Sequence, residues 1–376
     1  KMENHALFND INQSKPIFIL DLRSPAEFER CHLRGAVQVN PQLATDVDVV
    51  TEKMSCVKES NELMLVLIHD GSVCSEQVCL IVAAADSWRE KSAEKTVHWA
   101  TRWSKVISVS HVSFPQFRNH YPRCSSLYIG TDFPENKESL NGILYPTEVL
   151  PHQLFLGNWY DANDSVILSD LGITHIIDAT SEHLSKDKAQ EFGISYLHIP
   201  VWDIEDVDIS LHFDTTNNFI SAASSNQGRV LVHCRAGISR SSSLILAYLM
   251  RYGFAASLKD ALKMVVEQRP YVLPNKSFRA QLRVYEENAL RLPPSFEHDN
   301  AMLTFISSMN FCWSGIFSLE TDFDKIPIIA ASQRINVHKF LDEFPEESSE
   351  QNDVTAAAVK PKRAFLKRGE GKAIVV

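Results

Sequence analysis

One stretch constrains this chain more than any other: Val230-Leu-Val-His-Cys-Arg-Ala-Gly-Ile-Ser-Arg-Ser241. Val230, Leu231 and Val232 form a short apolar run that predicts a buried strand. From Arg240 the pattern through Ser243, Leu244, Leu246, Tyr248 and Met250 predicts a helix. Between them lies a loop with Cys234 at one end and Gly237 in its middle, where the backbone can turn inward with no side chain in the way. Successive loop N–H groups and the following helix N-terminus then converge on one point, which suits a phosphate. The same field favours Cys234 as a thiolate, since thiols so placed fall to pKa values of roughly 3.5–7.5. Arg240 adds a planar fork for two phosphate oxygens. A thiolate beneath a cradled phosphate is a nucleophile for phosphoryl transfer and gives a cysteinyl-phosphate. His233 reads as a hydrogen-bonding partner that orients the loop, and Ser241 as a hydroxyl near the sulfur that helps the thiolate leave. A structural cysteine beside a surface arginine would explain neither Gly237 nor His233.

Downstream of Pro200 the chain carries four closely spaced acids, Asp203, Glu205, Asp206 and Asp208. Phosphoryl transfer to Cys234 expels an alkoxide or phenoxide, and a carboxylic acid on a nearby loop can protonate it. Chemistry alone leaves the four in competition. Asp208 also precedes a predicted helix, whose N-terminus a carboxylate favours.

The segment His233-Cys234-x-x-Gly237-x-x-Arg240-Ser241 resembles the signature loop of the cysteine-based protein tyrosine phosphatases. Its Ile238-Ser-Arg-Ser241 ending and the later Ala247-Tyr-Leu-Met250 are most similar to the dual-specificity branch, and there to MAP kinase phosphatases. The resemblance implies phosphotyrosine and phosphoserine/threonine substrates, no metal and no cofactor. It implies that Arg240 and the backbone of Arg235, Ala236, Gly237, Ile238 and Ser239 hold the phosphoryl oxygens. In the family the acid follows a strand ending Ile-Pro-Val, here Ile199-Pro-Val201, so the resemblance assigns the role to Asp203. Pro274-Asn275, with Phe278 and Gln281-Leu282, matches another family stretch, and Asn275 there braces the signature loop or simply caps a helix.

At 376 residues and 44% hydrophobic, the chain has room for two domains with real cores. Residues 1–125 read as the first. An apolar strand at Ile17-Phe-Ile-Leu20 precedes Asp21, Arg23, Glu27, Phe28, His32 and Gly35, a pattern that resembles the opening of a rhodanese-like domain. That module precedes the catalytic domain in MAP kinase phosphatases. Asp21 and Arg23 are expected to pair at the strand end, and Glu27 and His32 to tie down a loop. An active rhodanese carries its cysteine just after a later strand. Here Met64-Leu-Val-Leu-Ile68 is followed by His69-Asp-Gly71, and Cys74 comes late, so no sulfur transfer is expected. The resemblance also implies a phosphoprotein partner such as a MAP kinase, docked by an arginine cluster. Between Gln38 and Glu62 only Lys53 and Lys58 occur, so that cluster is not found. Arg89, Lys91, Lys95, Arg102 and Lys105 alternate with acids and tryptophans and read as a solvated face.

Residues 126–144 read as a linker and 145–290 as the catalytic unit. Strands and helices alternate there, which predicts an α/β sheet, flanked by helices, with the loop at a strand's carboxyl end. Residues 291–376 read as an extension, mostly disordered. Within it 301–319 is semi-apolar and helix-like, 343–352 acidic and Ser-rich, and 360–372 basic; Phe365-Leu-Lys-Arg-Gly-Glu-Gly371 there resembles a segment of some centriolar and ciliary proteins.

A formal net charge of −10 argues against nucleic acid or anionic membrane as the main partner. The longest apolar runs are too short to span a bilayer, and the start has no signal-peptide pattern. The chain opens Lys1-Met2, so either residues precede it or Met2 is the true start. Seven irregularly spaced cysteines without CxxC or HExxH predict no metal site and a reducing compartment, cytoplasm or nucleus. Two rivals use the same loop. STYX-like pseudophosphatases bind without catalysis, but they lack the cysteine that this chain keeps. Phosphatases of phosphoinositides or RNA 5′ ends are the other; the phosphoinositide enzymes tend to carry extra loop lysines, where this chain has only Arg235 besides Arg240.

Overall fold

Alternate side chains of a strand face opposite sides of its sheet. In Ile17–Asp21 (β1) both sides are buried, Phe18 and Leu20 in one apolar cluster and Ile19 in another. The computed structural model describes residues 2–12, 17–54, 63–70, 75–92, 106–132 and 145–309. In chain order the first module comprises α1 (Asn4–Asn12), β1, α2 (Pro25–Arg30), β2 (His32–Leu33), β3 (Ala36–Gln38), α3 (Val47–Lys53), β4 (Leu63–His69), α4 (Ser75–Lys91), β5 (Val106–Ser113), α5 (Phe114–His120) and β6 (Tyr128–Ile129). Four strands form a parallel sheet in the order β3-β1-β4-β5. One face packs on α3 and α4 through Phe18, Leu20, Leu65, Val50 and Val78.

The expected ties at the end of β1 are present. Arg23 Nε donates to Asp21 Oδ1 at 2.9 Å, and its guanidinium lies 3.5 Å over the Phe114 ring. Ser24 and Glu27 form a reciprocal capping box on α2. His32 Nδ1 lies 2.7 Å from the Phe28 carbonyl. Arg89 pairs with Asp86 at 3.3 Å. Cys74, Lys58, Lys95, Arg102 and Lys105 lie outside the described residues.

The second module comprises β7 (Thr147–Leu150), β8 (Leu154–Gly157), α6 (Trp159–Asn163), α7 (Ser165–Leu171), β9 (His175–Asp178), α8 (Lys186–Glu191), β10 (Ser195–His198), α9 (Phe213–Ser225), β11 (Val230–His233), α10 (Arg240–Arg251), α11 (Leu258–Gln268), α12 (Lys276–Val284) and α13 (Asp299–Met309). Its five strands run in the order β10-β9-β11-β8-β7, all parallel except the edge strand β7. β11 therefore lies mid-sheet, and the following loop emerges at its carboxyl end, flanked by the neighbouring strand ends. Val230 and Val232 face the cluster built around α10; Leu231 faces the other side. Every residue of α10 from Arg240 to Met250 is buried, which makes it the central helix.

The two modules share a core. Phe155, Ile176 and Leu231 of the second sheet belong to one continuous cluster with Leu7 and Phe8 of α1, Ile19, Val66 and Phe117. A polar joint reinforces it. Buried Asn9 donates from Nδ2 to the Glu148 carbonyl at 2.9 Å and accepts the Glu148 N–H at Oδ1 at 2.8 Å. Its amide thus stands in for a neighbouring strand on the open edge of β7. The same Nδ2 donates to Gln268 Oε1 at 2.8 Å, and Asn12 Oδ1 accepts the Tyr145 N–H at 3.0 Å. The buried Glu148 carboxylate accepts from the Tyr121 hydroxyl and from the His152 N–H.

One segment differs from expectation. Residues 126–132 do not open a linker but complete the first module. β6 pairs antiparallel with β2, and Asp132 bridges Arg30 at 3.3 Å and Arg118 at 3.5 Å. At Gly130 the backbone passes so near the Arg30 carbonyl that a Cβ would overlap it. The rest of that stretch, 133–144, lies outside the described residues, as does 310–376 with its acidic and basic segments. The helix expected within 301–319 is α13, which buries Met302 and Ile306 against the second module. Among the described residues no helix is long and apolar enough to cross a membrane.

Replacing Asn9 by Ala leaves the Glu148 N–H and carbonyl buried and unpaired. Each such group costs about 1–3 kcal/mol, so the full chain is expected to unfold at a clearly lower urea concentration. An unchanged midpoint would show that the joint does not form.

Candidate active site

The loop after β11 wraps around the Cys234 sulfur. Sγ is buried and accepts from the Gly237 N–H and the Ser241 hydroxyl, each at 3.2 Å. Gly237 has φ +70°, and a Cβ there would stand 2.5 Å from both the Gly157 carbonyl oxygen and Arg269 Nη2. Only glycine fits this approach. The loop rim is tied down on two sides: Trp159 N–H donates to the Arg235 carbonyl at 3.2 Å, and Leu273 N–H to that of Ile238 at 3.1 Å. The Arg235 and Ala236 side chains are half-buried.

Arg240 begins α10 and lies almost wholly buried. Its Nη1 donates to the Val201 carbonyl at 3.2 Å, whereas its Nε has no hydrogen-bond partner. Buried donors are almost always hydrogen-bonded, so one that is not, within reach of the Cys234 loop, suits an oxyanion. The electrostatics separate Cys234 from its counterparts. Burial pushes the Cys31 thiol up and the Cys124 thiol up to about 12. Burial also opposes ionisation of Cys234, but the Arg240 charge and hydrogen bonds from Ser241 outweigh it and hold this thiol below its ordinary value.

Asp203 lies over the same loop. Its Oδ1 accepts from the Ser239 hydroxyl at 2.6 Å and from Asn275 Nδ2 at 2.9 Å, while Oδ2 lies 3.7 Å from Arg240 Nε. Asn275 does both things suggested for it. Its Oδ1 caps α12 by accepting the Phe278 N–H, and its own N–H donates to Ser239 Oγ at 3.0 Å. Gln281, further along α12, grips the same segment: Nε2 donates to the Val207 carbonyl and Oε1 accepts the Ser210 N–H. Of the other three acids, Glu205 and Asp206 are exposed and Asp208 caps the short turn Ile209–His212.

His233 is fully buried, and burial outweighs the pull of Asp178 and holds the ring in its neutral form. Ser185 Oγ lies 2.7 Å from its Nε2 and 3.2 Å from Asp178 Oδ2, so one hydroxyl bridges ring and carboxylate. Asp178 also accepts from Thr180 and Tyr196. Neither Asp178 nor Ser185 stands out in the sequence. Nor does Arg269, which follows α11 just before Pro270. In the structure it is buried, donates to the carbonyls of Gly237 at 2.9 Å and Ala236 at 3.4 Å and to Thr147 Oγ1 at 3.1 Å, and lies 4.5 Å over the Tyr271 ring. Among the described residues no group of three or more His, Cys, Asp or Glu side chains is arranged to hold a metal ion.

Residues 154–288 match the family described as "Dual specificity phosphatase, catalytic domain", and residues 4–100 match "Rhodanese-like domain". Over 143 residues the chain is 40% identical to human "Dual specificity protein phosphatase 21", a match covering 38% of this chain and 73% of that protein. The chain belongs to the dual specificity phosphatase family. It is 41% identical over 149 residues to "Dual specificity protein phosphatase Mpk3" of Drosophila melanogaster, 40% of this chain and 36% of that protein. It is also 42% identical over 144 residues to "MAP kinase phosphatase with leucine-rich repeats protein 3" of Dictyostelium discoideum, 38% of this chain and 16% of that protein. The chain thus spans well under half the length of these last two. Asp203, the loop from His233 to Ser241 and Asn275 all fall inside the stretch matched by the dual specificity phosphatase family, whereas α13 lies beyond it.

The depressed thiol makes a pH prediction. In the folded protein Cys234 alkylation by iodoacetamide is expected to titrate with a midpoint below the usual thiol value of about 8.5. Ser241→Ala is expected to move that midpoint upward. By linkage, the stability this group contributes is complete above the unfolded value and is lost as pH falls through the folded one. A midpoint at or above the ordinary value would overturn the electrostatic account.

Proposed function

We propose that this chain is an active protein phosphatase that hydrolyses phosphotyrosine and phosphoserine/threonine through a cysteinyl-phosphate. The supporting observation is the Cys234 sulfur, held by Gly237 and Ser241, with an Arg240 Nε that makes no hydrogen bond and lies 3.7 Å from Asp203 over the same loop. In this reading the N–H groups from Arg235 through Ala236, Gly237, Ile238 and Ser239 to Arg240 hold the phosphoryl oxygens, and the guanidinium of Arg240 takes two of them. The Cys234 thiolate attacks phosphorus while the bond to the leaving oxygen breaks. Asp203 gives that oxygen its proton; Ser239 and Asn275 occupy Oδ1, which leaves Oδ2 to carry it. Asp203 then takes a proton from the water that attacks the cysteinyl-phosphate. The Ser241 hydroxyl hydrogen-bonds the departing sulfur, and neutral His233 keeps the loop in place. No metal or cofactor takes part.

Phosphoproteins are the substrate class, and the names of the relatives make MAP kinases the first to test. Docking would not follow an arginine cluster, because the 38–62 segment carries only Lys53 and Lys58 as cations. The buried free thiols Cys31, Cys124 and Cys234 suit a reducing compartment, cytoplasm or nucleus.

The purified protein, with reductant and without metal, is expected to hydrolyse para-nitrophenyl phosphate. Cys234→Ser is expected to abolish turnover. Asp203→Asn is expected to lower kcat by roughly 10²–10⁴ on a substrate with a poor leaving group, the usual worth of a general acid. Folded wild-type protein without turnover would overturn the proposal and leave the loop as a phosphate-recognition pocket.

A further inference from the structure

Two features of the second module have no part in the chemistry above: the buried guanidinium of Arg279 and the helix α13. They meet each other. Arg279 Nε donates to Asp299 Oδ1 and Nη2 to Asp299 Oδ2, both at 2.6 Å, a bidentate fork at the first residue of α13. The third arm points the other way: Nη1 donates to the Pro274 carbonyl at 2.7 Å. Pro274 is bonded directly to Asn275, whose side chain holds Asp203 and whose N–H holds Ser239. A continuous chain of short polar contacts therefore runs from α13 through Arg279 and the start of α12 to the Asp203 carboxylate. Apolar packing fixes its outer end, with Met302 and Ile306 buried and Phe305 tilted against Phe296 at 5.6 Å.

We propose that Arg279 and Asp299 are positioning residues for Asp203, and that the helix beyond the family-matched stretch sets the seat of the general acid. The inference rests on the reading of Asp203 as that acid. Its physical basis is rigidity. The Arg279 side chain is 6% exposed, so removing either of its partners leaves a buried cation half-satisfied, and the pair holds one geometry. Freed from Arg279, the Pro274 carbonyl no longer fixes where Asn275 begins α12. A displacement of an ångström at a proton donor costs up to about a hundredfold in rate. Gln281 would still tether Val207 and Ser210, so the loop stays attached and only the aim of Asp203 suffers.

The test uses two substrates that differ in their need for an acid. Para-nitrophenyl phosphate has a good leaving group and phenyl phosphate a poor one. In the full chain, Asp203→Asn gives the benchmark: a larger loss of kcat on phenyl phosphate than on the nitrophenyl ester, with loss of the alkaline limb of the pH profile. Arg279→Met and Asp299→Asn are expected to show the same selective pattern, roughly tenfold more loss on phenyl phosphate, with KM nearly unchanged; this is a fraction of the 10²–10⁴ a general acid supplies. Arg279→Lys, whose single ammonium nitrogen cannot span Asp299 and the Pro274 carbonyl as the planar fork does, is expected to rescue little. If Arg279→Met fails to fold, Asp299→Asn, at the more exposed end of the pair, carries the test alone. Equal losses on both esters, or none, in variants of a protein whose Asp203→Asn shows the selective loss, would overturn this proposal only. Absence of the selective loss in Asp203→Asn itself would overturn the general-acid reading and this proposal with it.

Discussion

The buried guanidinium of Arg269 is the interaction on which the loop depends. A charge without water must find acceptors in fixed positions, and Arg269 finds them in the carbonyls of Ala236 and Gly237. Peptide groups are planar, so a carbonyl drawn outward turns a neighbouring N–H inward. The peptide joining Ala236 to Gly237 shows both halves: the Ala236 carbonyl accepts from Arg269 while the Gly237 N–H donates to the Cys234 sulfur. The cradle is therefore a consequence of a cation behind it as much as of the helix in front of it. The positive φ of Gly237 and its close approach to Gly157 are the backbone conditions under which this arrangement closes.

The same arginine connects the site to the rest of the molecule. Its third donor reaches Thr147 on the edge strand β7, next to Glu148, whose backbone Asn9 covers. Gln268, adjacent to Arg269, also bonds Asn9. The rhodanese-like module is thus more than an appendage on a linker. Its first helix supplies the missing neighbour of the second sheet and shares an apolar core with it. On the opposite side α12 holds the Asp203 segment through Asn275 and Gln281. The loop around Cys234 and the segment that carries Asp203 are held from different directions, and they meet at Ser239.

Local patterns explain why much of this was legible beforehand. A strand, a loop and a helix that follow one another directly place Cys234, Gly237, Arg240 and Ser241 around one point whatever the rest of the chain does. The capping box at Ser24, the N-cap at Ser257, the left-handed helix end at Gly172 and the strand parity of Val230, Leu231 and Val232 are equally local. Parity could say that both faces of β1 and β11 are buried. It could not say that one face of each is buried against the other module. Residues 126–132 were misread for a related reason: a Gly- and polar-containing stretch reads as a linker unless its partner β2, distant in sequence, is known.

The sequence by itself determined the chemistry offered: a low-pKa cysteine, an arginine fork, a hydroxyl and a loop rich in acids, each legible within a few residues of its neighbours. Side-chain chemistry left four acids open and the family resemblance pointed to Asp203; only the tertiary structure shows what holds it, Ser239 and Asn275 from distant segments. It alone decided that Arg269, Arg279, Asp178 and Ser185 surround the site, since each is an ordinary residue whose partners lie dozens of positions away or across an element boundary. The division follows from range. Propensity, capping and backbone strain act over one or two turns, whereas the pairing of a buried charge is fixed only when the chain has folded around it.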